Sequence, residues 1–349
     1  SDSTVNEYSI GSSVYAGFTE SGEASHNQVT VSGSNASIQG RVYGGYGTLD
    51  TSYNTVKLSE GAHVGDDVVG GHSAGDSATS QNVLYNEVTV SSGSRVEGSV
   101  YGGYNLGIGD VTGNKVFISG NSRVEGDVYG GWNSNGETSG NFIYVDGTVS
   151  GGVTAGYTLS GDAAGNEVLV EGGTVLDHLY GGYTALGSAT GNVITVKGGT
   201  VNAEMVGGYD DGTATYNTVT LYDSARFTGS DIYGGKSGGS SSDVFTGNTF
   251  NVYGQIDAAS LQNFQNLNFY DVADDTASVD LSKSAVIGDG KNTITNVAIV
   301  SLKNQTGDIP EEYVLVHTPA ASSSFKGTNL YVNGNTVVTL SLIHISEPT

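Results

Sequence analysis

The sequence predicts an all-β fold: a parallel β-helix, or β-solenoid, of about nine to ten repeat coils with a C-terminal β-rich end region. Three observations carry that prediction. Two short blocks recur through residues 1–254 with a period of about 27 residues. Each block alternates apolar and polar residues, as a half-buried strand does. Between blocks lie clusters of Gly, Ser, Asp and Asn, which is turn chemistry.

The first block is an apolar residue, usually a Tyr, a Gly pair and an aromatic. Clear copies are Val42-Tyr43-Gly44-Gly45-Tyr46, Val100-Tyr101-Gly102-Gly103-Tyr104, Val128-Tyr129-Gly130-Gly131-Trp132 and Leu179-Tyr180-Gly181-Gly182-Tyr183. Weaker copies run over 14–18, 68–72, 153–157, 205–209 and 232–236. Strict alternation places Val96, Gly98, Val100, Gly102 and Tyr104 on one face, and Val124, Gly126, Val128, Gly130 and Trp132 likewise.

The second block is Asn-x-apolar-x-apolar, at Asn6, Asn27, Asn54, Asn86, Asn114, Asn141, Asn166, Asn192, Asn217 and Asn248. Its apolar pairs, such as Val88/Val90 and Val168/Val170, share one face. A unit of two or three short strands buries no core alone, but stacked on its neighbours it does. Equivalent strands then pair about 4.8 Å apart, and identical residues form ladders, with the Asn side chains bonding one another at a turn.

After Val252 the period is lost, so residues 255–339 read as a capping or junction region. The chain is expected to begin inside the array, with Asn6-Glu7-Tyr8-Ser9-Ile10 already a copy of the second block. The tail 340–349, Leu-Ser-Leu-Ile-His-Ile-Ser-Glu-Pro-Thr, resembles a translated sequencing-library adapter and is expected to be non-native.

Composition closes off several functions. With 12 Lys+Arg against 36 Asp+Glu, the surface repels phosphate, so no nucleic-acid partner is expected. The absence of Cys removes zinc fingers, disulfide scaffolds and thiol catalysis. No apolar run approaches the ~20 residues of a spanning helix. The 21 Tyr argue against disorder despite a net charge of -24.

Candidate sites follow from the ladders. The column after the Gly pair (Phe18, Tyr46, His72, Tyr104, Trp132, Tyr157, Tyr183, Tyr209) reads as a ring stack closing the coil, or as a platform for flat ligands. The column before it has the opposite parity in a regular strand. Tyr43, Tyr101, Tyr129, Tyr180 and Tyr233 are therefore the expected exposed aromatic stripe and the candidate ligand-binding residues. Loop carboxylates Asp50, Asp76, Asp110, Glu137, Asp162 and Asp210/Asp211 read as a calcium site or as a solvated acidic face; without a Gly-Gly-x-Gly-x-Asp run, no metal and no cofactor is expected. A second set lies just before the Gly pairs: Asp66/Asp67, Glu97, Glu125/Asp127, Asp177, Glu204 and Asp231. Such carboxylates perform acid/base work in solenoid carbohydrate-active enzymes. Here they follow the repeat instead of interrupting it, so no enzymatic activity is expected; a polysaccharide lyase or tailspike-like glycosidase is the alternative.

The Tyr-Gly-Gly-Tyr and Asn-x-Val-x-Val units resemble the Gly-rich repeats of bacterial autotransporter passenger domains, the type V secreted surface proteins. The stretch from Ala285-Val286-Ile287-Gly288 to Gly327-Thr328-Asn329-Leu330-Tyr331-Val332 is similar to the region ahead of their membrane barrel. That resemblance implies a surface-exposed adhesin or structural stalk, anchored in the outer membrane through a C-terminal translocator outside this sequence. Its implied partners are host or bacterial cell-surface glycans or proteins. Open coil ends add an expectation of end-to-end self-association.

Overall fold

The computed structural model describes residues 2–75, 80–227, 229–239, 242–273, 276–283, 296–303, 314–317, 329–332 and 335–337. It is an all-β parallel solenoid of about ten turns, and no helix occurs among these residues. One coil shows the plan. Lys115–Ile118 carries the Asn block, Arg123–Val124 is a short strand, Val128–Asn135 carries the Gly pair, and Thr138–Ser139 leads to the next Asn. Equivalent strands of successive coils stack into sheets of 14, 9, 10 and 6 strands. The pairings are parallel except the last, between Asn329–Val332 and Asn335–Val337.

Alternation in the Asn block works as the sequence predicts. Val168 and Val170 are fully buried, whereas Glu167 on the other face is exposed. In register above and below them stand Ile143/Val145 and Ile194/Val196, so each ladder packs like on like. The core is completed by the short-strand ladder Val96, Val124, Val149, Val175 and by Val100, Val128, Val153, Leu179. Burial of these methyl groups is the main favourable term holding the rod.

The Asn ladder is the polar spine. Asn141 shows the pattern: its Oδ1 accepts both the backbone N–H of Asn114 (3.0 Å) and the Asn114 Nδ2–H (3.0 Å). Its Nδ2 donates to the Val111 carbonyl (3.0 Å) and to Asn166 Oδ1 (2.9 Å). The side-chain bonding recurs from Asn27 to Asn248, and every member from Asn54 onward is inaccessible to solvent. An amide fits because it offers two donors and an acceptor from one planar group, so no buried partner is left over.

Two features depart from simple alternation. The residue before each ladder Asn is left-handed: Gly113, Gly140, Gly165 and Gly191 have φ of 68°, 60°, 61° and 66°, and Tyr53, Tyr85 and Tyr216 adopt 58°, 55° and 58°. This is the corner that aims the Asn inward. The second departure is at the Gly pair, where both residues face inward. A Cβ on Gly102 would lie 2.5 Å from the Gly130 carbonyl, and one on Gly103 would lie 2.7 Å from Asn114 Nδ2. Parity therefore slips by one across the pair. The expected shared face of Val100 and Tyr104 is corrected: Val100 is in the core, while Tyr104 joins Tyr101 outside, ring centroids 5.0 Å apart. Nor are Val96 and Val100 on one strand, since Arg95–Val96 and Val100–Ile108 belong to different sheets.

At the N-terminal end, Asp2–Asn6 pairs with Gln28–Ser32, and Asn6 stands opposite Ser32. The expected block copy at Asn6 to Ile10 is thus corrected. Burying Val5 beside Val31 and packing Ile10 beside Ile38 sets the register. At the other end, the 14-stranded sheet continues through Asn266–Tyr270, Asn296–Ile299 and Asn329–Val332, so the described part of 255–339 extends the stack. The Asn ladder stops at Asn248, and Phe250, Phe264 and Phe269 thicken the core. Residues 285–288, 327–328 and 340–349 lie outside the described residues.

Candidate functional site

Because the Gly pair reverses the parity, both aromatic columns share one outer face of the 10-stranded sheet. The column after the pair is an unbroken stack. Phe18–Tyr46, Tyr46–His72, His72–Tyr104 and Tyr104–Trp132 have centroid separations of 5.5, 4.7, 4.9 and 4.6 Å. Trp132–Tyr157, Tyr157–Tyr183 and Tyr183–Tyr209 continue at 5.8, 4.7 and 5.0 Å. Parallel strand spacing brings the rings to offset-stacking distance without any further device. Lys236 ends the column with Nζ 5.9 Å from the Tyr209 ring.

The expected stripe of Tyr43, Tyr101, Tyr129, Tyr180 and Tyr233 lies on that face but is less open than alternation implied. Tyr43 is only 4 % exposed, and the other four are half-buried. Each leans on the neighbouring column, as in the 5.3 Å edge contact of Tyr43 with Tyr46. Burial raises the phenol pKa of all five, Tyr101 to about 12, so they are neutral donors at ordinary pH. Tyr129 donates to Asp127 Oδ2 (3.1 Å) and Tyr180 to Glu204 Oε1 (2.9 Å).

This second column is interrupted three times, at Val69, Thr154 and Val206, each in register with a Tyr of a neighbouring coil. Two interruptions are filled. His178 occupies the space beside Thr154, with Nε2 3.4 Å from its Oγ1 and its ring 4.6 Å from Tyr180. At Val206, the Glu204–Lys236 ion pair sits between Tyr180 and Tyr233, with Lys236 Nζ 4.9 Å from the Tyr233 ring. The third, at Val69, is a cavity of about 240 Å³.

The carboxylates before the Gly pairs form a lateral stripe, but it is laced with cations. Arg41 Nε is 3.3 Å from Asp66 and 3.1 Å from Asp67. Arg95 reaches Glu125 at 3.0 Å, and Arg123 reaches the same Glu125 at 2.6 Å. The hydrogen bond from Arg123 holds the Glu125 carboxyl below its ordinary range. His63 contacts Glu97, His178 contacts Asp177 and Lys283 contacts Asp231. Asp67 and Asp127 also accept backbone N–H groups of the next coil, from Ser99 (2.9 Å) and Gly152 (2.8 Å).

The loop carboxylates are occupied in the same way. Asp50 accepts the N–H of Asn82 (2.7 Å), Asp110 that of Glu137 (3.1 Å) and Asp162 that of Ser188 (2.8 Å). Among the described residues, no three His, Asp or Glu side chains are grouped to hold a metal ion; Asp76 lies outside them. Asp210 differs from the rest. It is fully buried, and neither carboxylate oxygen has a hydrogen-bond partner. Desolvation, opposed by the nearby Ala189 backbone amide and reinforced by Asp211, raises its pKa to about 7.

Sequence reasoning located both aromatic columns and the acidic stripe. It missed that the columns share a face, that His178 and the Glu204–Lys236 pair replace missing rings, and that one gap stays open. The signal for the gap was present: Val68-Val69-Gly70-Gly71-His72 is the coil in which both aromatic positions shrink. Compared with protein-family models, curated proteins and solved structures, the chain matches none.

Proposed function

We propose that the chain is a surface-exposed, non-enzymatic rod of the autotransporter-passenger kind, acting as an adhesin or structural stalk. The observation that supports this reading is the lateral face itself. Coil after coil it presents the same stacked aromatic columns beside ion-paired carboxylates. A surface built by repetition suits contacts that are individually weak and numerous, where affinity comes from multivalency. Acid/base catalysis asks instead for one place where a proton donor and acceptor are held apart from such pairing. On this reading the partners are glycans or proteins of a host or bacterial cell surface, and the rod is anchored at the outer membrane by a translocator outside this sequence.

Deletion of whole units tests it. Removing residues 141–191 joins Gly140 to Asn192, so a left-handed Gly still precedes a ladder Asn. A series of such two-unit deletions is scored for adhesion to cells and for polysaccharide cleavage. Adhesion is expected to fall gradually with rod length. An all-or-none profile accompanied by cleavage overturns the reading in favour of a solenoid carbohydrate-active enzyme.

A further inference from the structure

We infer that the gap at Val69 is a binding slot for one neutral pyranose ring, sandwiched between Tyr43 and Tyr101. This deepens the surface-contact reading of the aromatic face and rests on it for the biological setting only.

The slot is a missing rung. Val69 is in register with Tyr43 on one side and Tyr101 on the other. Where no rung is missing, rings of this column stack at 4.8 Å (Tyr15–Tyr43) and 5.1 Å (Tyr101–Tyr129). Two strand spacings therefore leave the facing rings about 9.6 Å apart, room for one six-membered ring between them. A cavity of about 240 Å³ opens there. That is smaller than the ~300–1,000 Å³ pockets that enclose drug-sized ligands, so it takes a single ring and not an oligosaccharide.

The polar groups say which kind of ring. His72 lines the cavity; it is 7 % exposed, and its Nε2 has no hydrogen-bond partner and is closed to water, so a ligand hydroxyl reaches it only after a small turn of the ring. A buried, unpartnered imidazole nitrogen is costly unless a ligand satisfies it. Burial together with Arg41 lowers the His72 pKa to about 4, so the ring is neutral and able to bond a hydroxyl at ordinary pH. At the rim, Arg41 Nε and Asp67 Oδ2 are 3.1 Å apart and both line the cavity. A guanidinium that donates beside a carboxylate that accepts matches a vicinal diol, whose hydroxyls do both. The faces of Tyr43 and Tyr101 carry negative potential and suit the C–H faces of a sugar. Asp66 and Asp67 together outweigh Arg41, which disfavours an anionic sugar.

The other two interruptions argue the same way. At Thr154 and Val206 the chain supplies its own polar filler. At Val69 no ring or ion pair takes the place of the missing rung; Arg41, whose Nη1 lies 3.4 Å from the Tyr43 hydroxyl, and Asp67 border the cavity that remains.

The test uses the whole chain and saturation-transfer NMR. The probes are methyl β-D-glucopyranoside, methyl β-D-galactopyranoside and N-acetylglucosamine, with p-cresol as the aromatic competitor. Transfer to at least one pyranoside is expected. It should vanish in Val69→Tyr, which restores the missing rung, and weaken about tenfold in Tyr101→Ala, which removes one wall. Circular-dichroism melts of both variants verify folding, and Tyr101→Ala alone suffices if Val69→Tyr misfolds. Transfer to p-cresol alone overturns the assignment in favour of an aromatic side chain of a protein partner. Transfer to none of the probes overturns it, as does a pyranoside signal unchanged in these variants. Cell adhesion is scored in parallel. Adhesion without a slot-dependent signal removes the slot and leaves the adhesin reading; the reverse result removes the adhesin and leaves the slot.

Discussion

Replacing Asn141 with Ala removes one rung from the polar spine, and the cost can be worked from its four bonds. The backbone N–H of Asn114 loses its acceptor, and the Val111 carbonyl loses a donor, both in a site closed to water. Asn166 Oδ1 keeps the backbone N–H of Asn141 as a partner, and Asn114 Nδ2 keeps the Val83 carbonyl, so these two are not orphaned. Two orphaned groups at ~1–3 kcal/mol each predict a loss of ~2–6 kcal/mol. Asn141→Asp should cost more at neutral pH. Its second oxygen then faces the Val111 carbonyl and Asn166 Oδ1, acceptor against acceptor. Protonation would restore one donor, so the Asp variant should recover as pH falls, the sign expected of an acid whose folded pKa is raised. Asn251→Ala is the control. Its Nδ2 donates to Thr220 Oγ1 at 3.0 Å and its Oδ1 accepts from Asn268 Nδ2 at 2.8 Å, but both bonds are half-buried, so water replaces them and the loss should be about 1 kcal/mol. Coils stabilise only their neighbours, so a single melt averages over local events. Hydrogen exchange read coil by coil is the better assay, with protection lost around 111–166 in Asn141→Ala. Equal losses in Asn141→Ala and Asn251→Ala would refute the claim that the amide ladder, and not the apolar core alone, holds the coils in register.

Both Gly130→Ala and Gly131→Ala should destabilise, because a Cβ on Gly130 would lie 2.5 Å from the Ala155 carbonyl and one on Gly131 2.7 Å from Asn141 Nδ2 and Val111 Cγ1; Gly130→Ala should be the milder, since the chain carries Ala16 and Ala155 at that position, where the backbone has made room. Urea melts giving the reverse order would contradict this. Val168→Asp puts an unpaired charge into the core and should cost several kcal/mol, while Glu167→Asp, on the exposed face, should cost well under about 1 kcal/mol. Equal shifts in melting temperature would show the assigned faces to be wrong. Asp210 has its pKa raised from 3.8 to about 7, so its contribution is fully present below pH ~4 and is lost as pH rises towards 7, by at most ~1.4 kcal/mol per pH unit. Asp210→Asn should flatten that profile and raise stability at pH 8, because Asn105 and Asn133, on the corresponding strands of other coils, donate to the Gln81 and Gly109 carbonyls. Stability curves of the two proteins that stay parallel from pH 4 to 8 would rule this out.

The period, the parallel stacking and the Val/Ile and Asn ladders were readable from the residues alone. In a solenoid each residue pairs with its own equivalent one unit later, so spacing in sequence becomes spacing in space. Val168 inside and Glu167 outside follow from alternation, because an uninterrupted strand has only two faces. Tertiary structure decided what happens where alternation is interrupted. Whether Tyr101 and Tyr104 take opposite faces or one depends on the backbone between them. That backbone is bent because Gly103 must pass over the amide of Asn114, which sits in the corner just before Lys115–Ile118. The N-terminal register was likewise decided by packing, with Val5 aligned to Val31 in place of the Asn6 match. That Arg41, Arg95 and Arg123 pair with the acidic stripe was also decided by the stacking of the coils. Three missing rungs were visible at Val69, Thr154 and Val206, yet only stacking showed which of them stay empty. His178 fills its gap from the next coil, Lys236 likewise reaches in at Val206, and at Val69 the side chains that border the gap leave a cavity, because occupancy depends on side chains that meet only across coils.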